Sequence, residues 1–155
     1  MKNFSGSLGL IILVLSGCAS DPEIAPINSY SPSAASPVVA YALSLQGAPY
    51  HYGSGNPQDG FDCSGFVHHV YLHQGVNLPR TTEDMANNLT PVEKNARHSG
   101  DLVFFDTNGK EFSHVGLYLD NDNFIHAPSE RTGKVLVSSL KNNYWRQHFV
   151  GVRRP

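Results

Sequence analysis

The hydrophobic positions of this chain change their period twice. Leu8 to Leu15 is an apolar run broken only by Gly9, too short for an ordinary membrane-spanning helix. Residues 19–36 show no hydrophobic period and are rich in Ser, Pro and Ala, the composition of an extended tether. Pro37 suits the first turn of a helix, and Val38 through Gln46 continue it to Gly47. Glycines and prolines cluster over residues 47–62, which read as loop and turns. Phe66, Val67, Val70 and Tyr71 recur at helical spacing and predict a helix from Cys63 or Ser64 to near Gly75. Thr81 to Asp84 reads as a capping-box variant opening a short helix through about Asn88. Beyond it the period becomes that of strands, over Leu102–Asp106, His114–Asp120, Asn123–Ala127, Val135–Leu140 and Phe149–Arg153. Helices followed by strands predict an α+β domain with an antiparallel sheet.

The first apolar run changes the picture of where the chain resides. Lys2 precedes it, and Leu15-Ser16-Gly17-Cys18 follows. That layout is a secretory signal, and small residues directly before a cysteine resemble a bacterial lipobox. The resemblance implies cleavage after residue 17 and a lipid on Cys18, which would anchor the chain without a spanning helix. The plain alternative is an ordinary secretory signal. The expected organisation is a signal over 1–17, a lipidated tether over 18–36 and one domain over 37–155. A domain of that length can build a single real core. Ala19 and Ser20 follow Cys18, and neither is the aspartate that resembles an inner-membrane retention signal, so the periplasmic face of the outer membrane is expected. Losing Lys2 with the leader takes the formal charge from −2 to −3. No basic block suggests nucleic acid, and no cationic amphipathic stretch suggests a second membrane contact.

The cysteine count then isolates one thiol. Cys18 and Cys63 are the two cysteines of the chain, and an exported pair ordinarily reads as a disulfide. A lipid on Cys18 excludes that bond and leaves Cys63 unpaired. Phe61-Asp62-Cys63-Ser64-Gly65-Phe66 places it where a turn enters a helix. Unpaired N–H groups and the positive dipole end there favour a thiolate and can receive an oxyanion. A nearby imidazole would hold the proton as an ion pair. Gly65 is expected to keep the approach beside the sulfur open. A small buried residue is the bland reading of such a cysteine.

Two histidines downstream answer that reading. His114-Val115-Gly116-Leu117-Tyr118-Leu119 and Asn123-Phe124-Ile125-His126-Ala127 both alternate, with Asp120-Asn121-Asp122 between them. A two-residue loop would set His114 and His126 on opposite faces. A three-residue loop, Asp120 to Asp122, sets His126 opposite Gly116 and diagonal to His114, roughly 7–8 Å away. An odd loop or a bulge is therefore expected, with His114 as base and His126 as the group that orients its ring.

These residues carry a family resemblance. Asp62-Cys63-Ser64-Gly65-Phe66-Val67, Leu78-Pro79-Arg80, Gly100-Asp101-Leu102-Val103-Phe104-Phe105, His114-Val115-Gly116-Leu117-Tyr118 and Phe124-Ile125-His126-Ala127 resemble the NlpC family of cell-wall cysteine peptidases. The resemblance covers about residues 37–153. It implies a papain-like core, with the nucleophile helix packed on a five- to six-stranded antiparallel sheet. It also implies hydrolysis of peptidoglycan stem peptides, usually between γ-D-glutamate and a diamino acid. Cys63 would be nucleophile, His114 base and His126 third polar residue. An amidase or acyltransferase using the same triad, and a non-catalytic wall-binding lipoprotein, are the alternatives. Gly47-Ala48-Pro49-Tyr50 resembles the segment whose tyrosine lies by the nucleophile, so Tyr50 is an expected oxyanion or substrate contact. A Gly-Gly pair common after that tyrosine is replaced here by Gly53-Ser54-Gly55.

Asp62 and Ser64 can bind a substrate amine or serve as cap and turn. Arg80 can pair with a substrate carboxylate or be simply an exposed arginine. Asp101 reads as a turn residue before its strand. His69 and His73 have metal-binding spacing, but no Glu follows His69, so solvent-facing side chains are expected. No metal or cofactor is expected. The expected partners are stem peptides and, through the lipid, a membrane, with the chain itself a monomer.

Overall fold

The computed structural model describes residues 36–155. The leader, Cys18 and nearly all of the tether lie outside the described residues. Ser36 accepts the Val39 N–H and starts α1, Pro37–Ser44, with Pro37 in its first turn. A two-stranded ribbon follows, β1 (Gly55–Asn56) and β2 (Gly60–Phe61). It leads straight into α2, Cys63–His73, whose cap is Asp62. Thr81 caps α3, Thr82–Asn88, through the Asp84 N–H. Then come β3 (Thr90–Val92), a 3-10 turn (Lys94–Ala96), β4 (Leu102–Phe105), β5 (His114–Tyr118), β6 (Asn123–His126) and β7 (Leu136–Ser139). Helix α4 (Asn143–His148) and β8 (Phe149–Arg154) close the chain.

The six strands β3 to β8 form one sheet in the order β3-β8-β4-β5-β6-β7, antiparallel throughout. The expected α+β architecture is therefore present. Sequence analysis did not predict β3, α4 or the small ribbon. Strand β3 is three residues long and contains Pro91, which an edge position tolerates because that N–H need not join the ladder. Helix α4 is too short for a hydrophobic period to develop.

Alternation divides the central strands between two layers. Val103, Phe105, Tyr118, Phe124, Leu140 and Val152 form a buried cluster joined by Trp145 and Phe149. No α2 residue belongs to it; α2 packs against β5 from the other face. There Phe66, Val67 and Val70 are fully buried, each worth on the order of 2 kcal/mol of apolar transfer. This packing sets the first turn of α2 beside the start of β5.

The β5–β6 hairpin has the odd loop expected of it. Leu117 pairs with Ile125 and Tyr118 with Phe124. Leu119 N–H donates to Asn123 O at 2.9 Å, leaving residues 120–122 as the loop. Asn121 and Asp122 take positive φ of 47° and 66°, a conformation that Asn and Asp tolerate better than other side chains. Arg97 forms an ion pair with Asp122, and Leu140 N–H donates to Asp122 O at 2.7 Å.

Candidate active site

The register delivers the two histidines to one another. Continuing the β5–β6 pairing sets His126 opposite Gly116, diagonal to His114. His114 Nε2 and His126 Nδ1 are 2.8 Å apart, with ring planes at 78°. Gly116 is the condition for this: a Cβ there would lie 2.7 Å from Phe124 Cδ2 and 3.2 Å from His126 Cβ. His126 Nε2 lies 2.9 Å from Ser138 Oγ on β7. Trp145 of α4 closes over the pair, stacked on His114 (29° between planes) and edge-on to His126 (86°). Both rings are buried, His126 completely. Sequence analysis did not single out Ser138 or Trp145. Ser138 lies in a predicted strand, but the long connection after β6 hid its register, and no periodicity marks residues 143–148.

Cys63 opens α2 and is a free thiol. The backbone N–H groups of Val115, Ser64 and Cys63 lie on the side of the sulfur where they favour a thiolate. Val115 neighbours His114 on β5, against which α2 packs, so the sulfur sits near the start of that strand. Both side chains line a cleft of about 580 Å³, with Tyr50, Asp62, Ser64 and Arg80 also on its walls. With Nε2 of His114 engaged by His126, Nδ1 is the nitrogen left for the thiol. The described residues thus bring every predicted site residue from Tyr50 to His126 to one place.

Three expectations are narrowed or corrected. The first concerns protonation. Burial pushes the Cys63 thiol up to about 11, against the three N–H groups, and Asp62 pushes the same way. Burial also pulls His114 down to about 4. Both shifts work against the charged forms and so against a ready-made ion pair.

The second concerns Asp62 and Arg80, for which the cap and the exposed arginine are the readings seen. Asp62 Oδ1 accepts from Gly65 N–H at 2.6 Å, Ser64 Oγ–H at 3.3 Å and Arg80 Nη1 at 3.1 Å. Its Oδ2 accepts from Gly53 N–H and Arg80 Nη2, both at 2.9 Å. That carboxylate has little capacity left for a substrate amine. Arg80 also donates to Ser64 Oγ and Ser54 O and neutralises Asp62 while its exposed side chain stays on the cleft wall. Third, Gly65 faces Ser54 and Gly55 of the preceding loop, and not the space beside the sulfur.

Other assignments stand differently. Tyr50 is half-buried and held by its N–H to Gly133 O. Burial, then Cys63 and Asp62, raise its phenol, so its O–H remains a donor. Asp101 takes His98 N–H and Arg154, as a turn anchor should. His69 and His73 are not simply solvent-facing: Tyr41 OH lies 2.9 Å from His69 Nε2, and its ring stacks on His73. Among the described residues no cluster of His, Cys, Asp or Glu could hold a metal.

The buried pair makes stability depend on pH. His114 titrates near 6.5 when unfolded and about 4 when folded. Between those values the unfolded chain binds more protons. This contribution is fully present above about pH 6.5 and is lost as pH falls toward 4. His114 alone accounts for about 3 kcal/mol, and His126, also lowered by burial, acts in the same direction. Urea unfolding at pH 7.5 and 4.5 should show a smaller acid loss in His114→Gln than in the parent chain. Equal losses would show that the pair does not control it.

With fold and cleft in view, residues 47–154 match the NlpC/P60 family, and the chain belongs to that family. Murein DD-endopeptidase MepH of Escherichia coli (strain K12) is 42% identical over 70% of this chain, which spans 41% of MepH. The probable endopeptidase NlpC of the same strain is 38% identical over 92% of this chain and 93% of its own length. A crystal structure of an NlpC/P60 family protein from Bacillus cereus ATCC 10987 superposes with a TM-score of 0.71 at 29% identity, covering 76% of this chain and 39% of that one.

Proposed function

We propose that this protein is a peptidoglycan endopeptidase that hydrolyses a stem-peptide amide through Cys63, His114 and His126. The observation that carries the reading is the Cys63 thiol at the start of α2, in one cleft with His114, whose ring meets the buried His126 at 2.8 Å. His114 Nδ1 takes the thiol proton as sulfur attacks the carbonyl carbon and the C–S bond forms. Burial disfavours both charged forms, so in this reading proton transfer accompanies attack. N–H groups at the start of α2 and the Tyr50 O–H are the donors for the oxyanion. The C–N bond then breaks, and the departing nitrogen takes the proton from His114. Water next gives a proton to His114 and attacks the thioester. The C–S bond breaks, the acid leaves and sulfur recovers its proton.

The bond between γ-D-glutamate and the diamino acid is the leading candidate. Hydrolysis of a D,D cross-link is a second reading, favoured by the 42% identity to MepH. The enzyme is expected to work in the cell envelope, held by a lipid on Cys18 at the periplasmic face of the outer membrane. Digestion of a disaccharide-tripeptide and of a cross-linked dimer, followed by mass spectrometry, separates the possibilities. Free diamino acid and a disaccharide-dipeptide mark the first bond. Two unshortened monomers mark the cross-link, and a released intact stem marks an amidase. No product from either substrate would sink the endopeptidase reading. The intact mass of the detergent-extracted protein tests the acyl chains on Cys18.

A further inference from the structure

We propose that Ser138 is a positioning residue that supplies the acceptor for the Nε2–H tautomer of His126 and so keeps Nδ1 of His114 free to act as the base. The inference rests on the thiol-peptidase reading above. His114, His126 and Ser138 form a diagonal line across three neighbouring strands. His126 pairs with Leu136, so Ser138 lies two residues along β7 on the same face as His126. His126 stands in the same relation to His114. The two links of the line are 2.8 Å and 2.9 Å.

The argument is one of hydrogen-bond polarity. Two neutral imidazoles share one hydrogen bond, and either can be its donor. In the productive polarity, His114 Nε2–H donates to His126 Nδ1. His126 then carries its own hydrogen on Nε2 and needs an acceptor there. In the reversed polarity, His126 Nδ1–H donates to His114 Nε2. The His114 hydrogen then sits on Nδ1, toward the thiol, and no base remains. His126 is completely buried, so each nitrogen must find a partner inside the protein. Ser138 Oγ is the acceptor that the productive polarity requires. Without it, that polarity strands a buried N–H, whereas the reversed one strands only a lone pair, the more tolerable loss. The same polarity suits the reaction, since an imidazolium at His114 must donate from Nε2. Trp145 packs on both rings without offering an acceptor, because an indole nitrogen only donates.

Threonine and valine at position 138 have nearly the same shape and differ in the hydroxyl. Both suit a half-exposed edge strand. In the full-length chain, Ser138→Thr should keep the parent kcat. Ser138→Val should lose about 10- to 100-fold in kcat, the scale of one stranded donor, with little change in KM. Nitrogen-15 NMR of the histidine rings supplies a readout independent of turnover. His126 should be protonated on Nε2 in the parent and in Ser138→Thr, and lose that preference in Ser138→Val. An unchanged tautomer in Ser138→Val would overturn the inference. So would equal loss of kcat in both variants with the parent tautomer retained, which would indicate packing alone. If the parent chain itself releases no fragment from peptidoglycan, the endopeptidase reading fails, and the NMR result still decides the role of Ser138.

Discussion

Cys63→Ala should abolish release of stem fragments from purified peptidoglycan, a loss on the order of 10⁴-fold or more, while the fold survives. The loss is large because the cleft offers no substitute nucleophile. Ser64 Oγ is held between Asp62 and Arg80. Ser113 Oγ is engaged by Thr107 and Phe105 O on the far wall. The histidine pair without a thiol has no atom to form the acyl intermediate. Stability should change little, since the sulfur reaches the cleft and its removal leaves no enclosed void. Fragment release by mass spectrometry and the unfolding midpoint by circular dichroism check the two halves. Undiminished turnover by a folded Cys63→Ala would remove the covalent mechanism. A parallel collapse of fold and activity would make Cys63 structural.

The upward push on the Cys63 thiol gives the Asp62–Arg80 network a chemical meaning. A carboxylate next to the nucleophile raises the cost of forming a thiolate. Asp62 is nevertheless required as the cap of α2 and the anchor of Gly53. Arg80, 18 residues on, meets both oxygens of that carboxylate. The same bonds use up the acceptors that a substrate amine would need. The rest of the cleft is lined by neutral polar groups, among them Thr107, Asn108, Tyr50 and Tyr52.

This balance of charges was not legible in the sequence, because it depends on contacts between residues far apart in the chain. The Cys63 helix and the two histidine strands were legible, because their side chains repeat at 3.6 and 2.0 residues. The parity of residues 120–122 carried further than composition, since one residue more or less turns His126 to the other face. Ser138 and Trp145 reach the histidines through connections whose length sets no register. The upward push on the Cys63 thiol was hidden for a related reason. A helix terminus is visible in sequence, but the burial that outweighs it exists only after β5 and α2 have packed.

Gly65→Ala should destabilise the protein by about 3 kcal/mol, although alanine is the better helix former. Gly65 lies in the first turn of α2 without a positive φ, so the substitution gains roughly 1 kcal/mol in helix propensity. Against that gain stands a close approach. A Cβ would lie 2.2 Å from Ser54 O and 2.9 Å from both Asp62 Oδ1 and Gly55 Cα. Two of these three atoms belong to backbone, so no rotamer change relieves them. The loop would have to retreat, yet Ser54 O holds Asp62 N–H at 3.0 Å and Arg80 Nη2 at 3.3 Å. Retreat breaks the bonds that fix Asp62, and with them the cap beneath Cys63. Gly55 meets the same constraint from the other side, its own Cβ position being 3.3 Å from Gly65 Cα. The Gly53-Ser54-Gly55 loop and Gly65 are thus two halves of one contact. Thermal unfolding should place the variant roughly 10 °C below the parent, with fragment release reduced even where the chain remains folded. An equal or higher midpoint would mean that helix propensity outweighs the contact and that the loop yields freely.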